Sequence, residues 1–519
     1  MTTIAMPAPA FSSRRLITFV VMVFGMFMAI LDIQIVSASL SEIQAGLGAA
    51  NDEISWVQTA YLIAEVIMIP LSGYLSRMLS TRWMFAISAG GFTFTSLMCA
   101  NATGINEMII WRALQGFIGG GMIPTVFAAA YTIFPRDKQP IIAPIIGLVA
   151  TLAPTIGPTA GGYLTELFSW HWLFLVNVVP GIVVTVTAVV LIDFDEPDLS
   201  LLNRFDWIGF AAMATMLGSL EYVLEEGQSK DWLQDERIAV LTVAMVIGAV
   251  VFFYRALTRE EPVVDLSAFN NRNFTFGSIF SFCLGIGLYG LTYIYPLFLA
   301  RIRGYSSLDV GETMFVSGLS MMVAAPFVGR LTRSVDLRIL MAVGFAGVGL
   351  STYLMTRITS DWDFWELLLP QIFRGIFMMI AMVPINNVAL GTMPPHRMKN
   401  ASGLFNLTRN LGGAVGLALI NQVMTDRSAL HYERLSEAIT AGNATATNTI
   451  ANLTGALSEL GTNAHGGAIY KLSQMLQQQS LVMSYADVFL MLTVLFVGLS
   501  FTMPLVSKPQ AAAGGGGGH

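Results

Sequence analysis

Asp32, Glu65 and Arg112 each sit inside a long apolar run: MAILDIQIVSASL, TAYLIAEVIMIPLSG and RALQGFIGGG. A charged side chain in the middle of an apolar helix costs roughly 2.5–3.5 kcal/mol on insertion scales, so such residues default to function or pairing. A carboxyl withdrawn from water favours its neutral form, and a cation beside it favours the charged form. An acid with a movable cation can therefore take up and release a proton. Asp32 is expected to carry that proton and Arg112 to tune it. Arg112, Gln115, Gly116 and Gly119 share one helical face. The glycines clear room and the arginine can hydrogen-bond into the space. Glu65, with Tyr61 one turn before it, is a second carboxylate for protons or for a cationic substrate. The structural alternatives are a salt bridge for Asp32 and a neutral acid bonded to a neighbouring helix for Glu65. Glu221 and Glu225 fall at the end of a helix and are expected to face water or the membrane interface.

The elements that hold these residues are membrane helices. The chain has 519 residues, 55% of them hydrophobic and 12% charged, with a mean hydropathy of +0.66. Soluble domains carry about 25% charged residues. Runs of about 20 apolar residues imply a polytopic helical membrane protein. The runs fall near 16–37, 54–75, 83–101, 107–131, 141–164, 172–193, 207–225, 237–256, 273–300, 309–330, 338–356, 364–390, 401–424 and 485–506, fourteen in all. An even number puts both termini on one side. Sixteen basic residues then fall on that side and eight on the other, which places both termini in the cytoplasm. That count includes Arg136, Lys138 and Lys508. Cys99 and Cys283 lie in apolar runs and read as free thiols. The first run is long and lacks a cleavage site, so it reads as a retained helix.

A weak repeat divides the chain. Gly73 opens GYLSRMLSTR and Gly329 opens GRLTRSVDLR; both read G-x-L-x-R-x-x-x-x-R. Arg112 starts RALQG and Arg374 starts RGIF, each in the fourth helix of its half. Repeats of this kind argue for two six-helix bundles related by an axis along the membrane normal. The expected parts are a tail at 1–15, a first bundle at 16–193, and a linker with two extra helices at 194–272. A second bundle at 273–506 includes an external loop at 425–484, and a tail at 507–519 follows. The loop is expected to form a hairpin with helices near 428–439 and 467–483. The closing AAAGGGGGH is set aside as an appended tail.

Two further stretches could gate. In APTIGPTAGG, Pro154 and Pro158 fall four apart, as do Gly157 and Gly161, with Gly162 adjacent. Glycines at that spacing let a helix approach closely, and prolines bend the helix. The alternative is a static small-residue contact. Arg77 and Arg82 can bind helix carbonyls or acids on the cytoplasmic face and latch the halves. Plain positive-inside charge would explain one arginine but not the matched spacing.

Together these stretches resemble the major facilitator superfamily, and within it the 14-helix drug:proton antiporters of the EmrB/QacA type. LDIQIV resembles the first-helix segment of that family, RALQG its RxxQG motif, GYLSRMLSTR its turn motif, and APTIGPTAGG with SWHWLF its antiporter motif. The resemblance covers nearly all of 14–506. It implies an all-α polytopic membrane protein of the major facilitator fold, two six-helix bundles plus two extra helices between them. It also implies alternating access, with Asp32 and Arg112 in proton coupling. The family often has an acid inside the first turn motif, and none lies between Gly73 and Arg82, so the partner of Arg77 is open. The second copy has Asp336.

EmrB-like members work with a periplasmic adaptor and an outer-membrane channel, which implies such partners here, with contact sought at 425–484. The implied location is a bacterial inner membrane. The cargo would be small lipophilic or cationic drugs, met by a soft pocket; Tyr61, Tyr289, Tyr293, Phe315 and Glu312 are its candidates beside Glu65. No P-loop, metal-ligand spacing or nucleic-acid-binding stripe occurs in the sequence, so no cofactor beyond protons is expected. One alternative cargo is an endogenous metabolite, fatty acid or lipid. A membrane enzyme would need a clustered His/Asp or Asp/Glu site at one face, and the sequence shows none.

Overall fold

The computed structural model describes residues 13–50, 53–134, 139–193, 195–437, 439, 443–457 and 463–507, and within these every regular element is helical. The basic residues Arg136, Lys138 and Lys508 lie outside the described residues. Helices α1 (Ser13–Ala38), α2 (Leu40–Leu47), α3 (Trp56–Ala100), α4 (Ile105–Gly119), α5 (Met122–Ile133), α6 (Gln139–Leu167), α7 (Trp172–Leu175) and α8 (Val178–Leu191) come first. The pair α9 (Trp207–Glu226) and α10 (Glu236–Thr258) follows. Then come α11 (Arg272–Phe298), α12 (Ser307–Ser334), α13 (Leu337–Met355), α14 (Phe364–Ala389), α15 (Met398–Glu437), α16 (Ala444–Ala456) and α17 (Ala464–Ser500). Helices satisfy every backbone group within one segment, which the interior of a bilayer demands.

Eleven stretches among the described residues are long and apolar enough to cross a membrane. The expected fourteen is consistent with this. The 45-residue α3 holds two of the expected spans, folded back at Ser80. Helices α6 and α15, of 29 and 40 residues, are also long enough to cross. The expected span at 107–131 is broken into α4 and α5 at Gly120 and Gly121.

Ser80 takes φ 76° and ψ 160°, a region that belongs to glycine. Strain of this kind costs on the order of 1–3 kcal/mol, more than the entropy that glycine loses on folding. Ser80→Gly is therefore expected to stabilise the protein by about 1 kcal/mol. Thermal unfolding of the purified protein checks this; an unchanged or lower melting temperature counts against it.

Close packing of α6 places it between α1 and α12. A Cβ on Gly157 would lie 2.3 Å from Cβ of Gln34, and one on Gly161 would lie 2.9 Å from the Ile35 carbonyl. The small-residue face thus seats α1 directly. Further along α6, Thr159 faces Gly311 of α12 so closely that a Cβ there would collide with it. Pro158 and Gly162 are half-buried beside this contact. Pro154 lies within α6, and its side chain is outside the described residues.

The α9–α10 pair packs on α3 and α15. Asp206 caps α9 and pairs with Arg255 near the end of α10. Burial raises the Asp206 carboxyl, but Arg255 and the Gly209 N–H outweigh it and hold it below its ordinary value. At its other end the pair reaches α15: Trp232 Nε1 donates to Gln422 Oε1 at 2.7 Å and Gln228 Nε2 to Thr425 Oγ1 at 2.9 Å.

The segment 425–484 is more than a simple hairpin. Its flanking helices are continuous with α15 and α17, and α16 lies between them. Tyr432 and Ser473 bond across the pair at 3.1 Å, and Asp487 meets His431 at 2.8 Å.

Candidate functional site

Asp32 is wholly buried, and its two oxygens are bound by three side chains, two from α4 and one from the turn ahead of α8. Arg112 Nη1 donates to Oδ2 at 2.7 Å. Asn177, just ahead of α8, donates to Oδ1 at 2.7 Å, and Gln115 Nε2 to Oδ1 at 3.3 Å. Gln115 also accepts from Arg112 at 2.7 Å and donates to Ser96 of α3 at 2.7 Å. Arg112 Nε reaches the Val57 carbonyl at 3.1 Å, while Nη2 has no partner among the described residues. The guanidinium lies over the Tyr61 ring at 4.3 Å. Sequence spacing explains this: residues 112 and 115 are one turn apart and face the same way. Gly116 makes it possible, because a Cβ there would lie 2.3 Å from the Tyr61 carbonyl. Asn177 and Ser96 were not among the expected site residues. A buried carboxylate's unmet lone pairs required such partners, but a polar residue in an apolar run does not reveal which carboxylate it meets.

Glu65 and Tyr61 continue the site along α3. Both are buried, and the Tyr61 hydroxyl has no hydrogen-bond partner among the described residues. The backbone at Glu65 is pressed against Gly120. Glu221 of α9 is buried as well, against the expectation that it faces water, because α9 is packed on α3 there. Trp56 and Tyr222 seal that contact with ring centroids 5.4 Å apart. Glu225 is exposed as expected.

The expected pocket residues divide. Tyr289 and Tyr293 of α11 are part-buried and bind Asn410 at 3.2 Å and Asn421 at 2.9 Å, both on α15. Glu312 and Phe315 do not join them. They stand on the exposed face of α12, in line with Leu319, Met322, Val323 and Phe327, and Phe315 is 49% exposed. Apolar residues recurring along one outward stripe suit lipid rather than an inner pocket. The buried polar groups after residue 273 are different ones. Arg374 donates to Thr292 at 2.8 Å, and Arg409 donates to Asn386 at 2.8 Å.

The face that carries residues 193–206 and 259–271 is closed by ion pairs. Arg77 meets Glu261 at 3.7 Å, which supplies the partner the sequence left open. Arg82 meets Asp193 at 2.8 Å. The Asp195 carboxylate accepts from the Thr81 backbone N–H at 3.0 Å and also binds Lys399 of α15. Lys399 donates in addition to the Ser76 carbonyl at 2.7 Å. Gly73 admits this approach, since a Cβ there would lie 2.9 Å from Cα of Asn400. Ser402 bonds the Pro124 carbonyl at 2.9 Å, and Tyr131 bonds Asn387 at 3.2 Å. In the second motif copy Asp336 instead caps α13 and pairs with Arg338 at 2.9 Å. The repeat thus matches in sequence, but its two copies are used differently.

Comparison with known proteins agrees with this architecture. The family described as Major Facilitator Superfamily matches residues 22–417. The colistin resistance protein EmrB of Acinetobacter baumannii is 42% identical over 485 residues, 93% of this chain and 94% of that one. The multidrug export protein EmrB of Escherichia coli strain K12 is 28% identical over 516 residues, 98% of this chain and 99% of that one. The fatty acid resistance protein FarB of Neisseria gonorrhoeae is 28% identical over 496 residues, covering 95% and 96%. Among solved structures, the human organic anion transporter MFSD10 (TETRAN) superposes with a TM-score of 0.57 over 94% of this chain and 100% of that one. At 13% identity that likeness shows the fold. The chain belongs to the major facilitator superfamily and is a multi-pass membrane protein.

Proposed function

We propose that this major facilitator exports several lipophilic drug-like compounds across a bacterial inner membrane, each in exchange for protons. Relatives named for multidrug export and drug resistance support the export reading. The observation that carries proton exchange is the enclosure of Asp32: a wholly buried carboxylate held by one arginine and two amides. Arg112 beside it works for the charged carboxylate and burial works for the protonated one, so withdrawal of Arg112 shifts the balance toward the protonated form. Alternating access then moves the proton inward as substrate moves outward. Glu65 lies further along the same helix as Tyr61 and is the second acid of the path.

With the ion-paired face in the cytoplasm, both termini are cytoplasmic and the segment between α15 and α17 is external. That segment is where a periplasmic adaptor would dock, and an outer-membrane channel would complete the pump.

The test is substrate-induced proton release from purified protein. Adding a lipophilic cation to wild type is expected to release protons. No release with any of a broad panel of compounds would overturn the proton-exchange reading. A second cargo, a fatty acid or related lipid, is favoured by the relative named for fatty acid resistance. Glu65→Gln separates the two: a loss of preference for cations supports drug cations, and no change supports the lipid cargo.

A further inference from the structure

Buried charge is sorted between the two bundles. Among the described residues the buried carboxylates are Asp32, Glu65, Asp206 and Glu221, all before residue 273. The buried arginines after that point are Arg374 and Arg409. Neither has a carboxylate within ion-pair distance among the described residues. Arg374 shares its donors between Thr292 and Gln371. Arg409 has one acceptor for five N–H donors, the Asn386 side-chain oxygen.

Two unmet atoms belong to this hydrogen-bonded pair. Among the described residues Arg409 Nε is buried without a partner, and so is Nδ2 of Asn386. The Asn386 oxygen is turned to Arg409, so its amide N–H groups are the unmet ones. Both unmet atoms are donors. Leaving buried donors unmet is costly, and a buried guanidinium with no counter-ion more so. A cation would worsen that cost, whereas an anion with two acceptor oxygens removes it.

The surroundings define the rest of the ligand. The Arg409 guanidinium lies 5.0 Å from the Phe405 ring and 5.3 Å from the Phe127 ring. Phe127 belongs to α5 and Arg409 to α15, so the site spans both bundles, as a transported solute must. Tyr131 of α5 bonds Asn387 next to it. Aromatic walls suit an apolar body, and the polar edge suits a planar anionic head.

We propose that Arg409 and Asn386 hold the carboxylate of a lipophilic organic acid, one class of compound that this protein exports. The inference rests on the export reading above and adds a charge preference to it.

The experiment compares three ligands of equal chain length on the full-length protein in lipid nanodiscs: decanoate, methyl decanoate and decyltrimethylammonium. Binding is read by titration of intrinsic tryptophan fluorescence. Decanoate is expected to bind wild type at least about tenfold more tightly than its methyl ester. Arg409→Gln should remove that preference, and Arg409→Lys should restore part of it. Asn386→Ala keeps the charge and should weaken decanoate by several-fold without affecting the ester. If wild type binds acid and ester alike, or Arg409→Gln keeps the preference, the inference fails. Should Arg409→Gln not fold, the wild-type comparison and Asn386→Ala still decide. Export itself is read separately, as decyltrimethylammonium movement in proteoliposomes under a proton gradient. Cation export with no preference for decanoate defeats the inference and leaves the export reading. Arg409-dependent decanoate binding without export of any ligand defeats the export reading and leaves the site.

Discussion

Asp32→Asn is expected to abolish substrate-driven proton release and to lower proton-driven export by about a hundredfold or more, toward the background rate. The substitution keeps the shape of the side chain and one acceptor oxygen, which Asn177 or Arg112 can still reach. What it removes is the titration. It also leaves Arg112 buried without a counter-ion, which is destabilising by roughly 3–5 kcal/mol. Loss of activity alone would therefore be ambiguous. The double variant Asp32→Asn with Arg112→Gln resolves it, because removing both charges should recover much of the stability and none of the proton release. Proton release is followed with a pH indicator as a lipophilic cation is added. If Asp32→Asn releases as many protons as wild type, the assignment is wrong, and Glu65→Gln becomes the variant that should lose release.

The second large effect is expected at the ion-paired face. Asp195→Asn should loosen the closed face. One carboxylate there joins the turn of α3, through the Thr81 N–H, to Lys399 at the start of α15. It therefore ties the two bundles together where they would part to open that face. Charge-assisted bonds of this kind contribute on the order of 1.5–3 kcal/mol each, so losing the charge should shift the open and closed populations by about tenfold or more. Hydrogen exchange of the linker-side ends of α5 and α15 reads the shift as faster exchange. Lys399→Gln should act in the same direction, since it deletes the other half of the bond. Unchanged protection in both variants would mean that the ion pair is incidental to closure.

Much of this site was legible in the sequence because an isolated charge in an apolar run has few explanations. Asp32 and Arg112 stood out for that reason, and the structure puts them 2.7 Å apart. Gly157 and Gly161 were legible as a close helix contact, although not that α1 would be the partner. The partner of Arg77 was not legible. Glu261 is far away in the chain, and only folding of the link brings it near. Glu221 was misplaced because its position near a helix end suggests exposure, while packing of α9 on α3 buries it. Glu312 and Phe315 went wrong for the converse reason. Helical periodicity tells which residues share a face but not whether that face meets lipid or another helix. Asn386, which receives Arg409, showed no signal beyond its polarity.

The unbroken run of α15 has a mechanical consequence. At about 1.5 Å per residue, its 40 residues make a rod roughly 60 Å long. Its first residues hold Lys399, and its last dozen or so lie in the segment that leads to α16. A rigid rod cannot tilt at one end only. A swing of about 15° around its middle would move each tip by roughly 8 Å. The tip is tied to α17 through Tyr432 and Ser473 and through His431 and Asp487, so the two rods should move as one arm. Release of the ion pair at Lys399 would then be felt at the far end of α15 as a displacement of that arm. A partner seated on it would sense each turnover as a stroke, with no need for the substrate itself to carry the message.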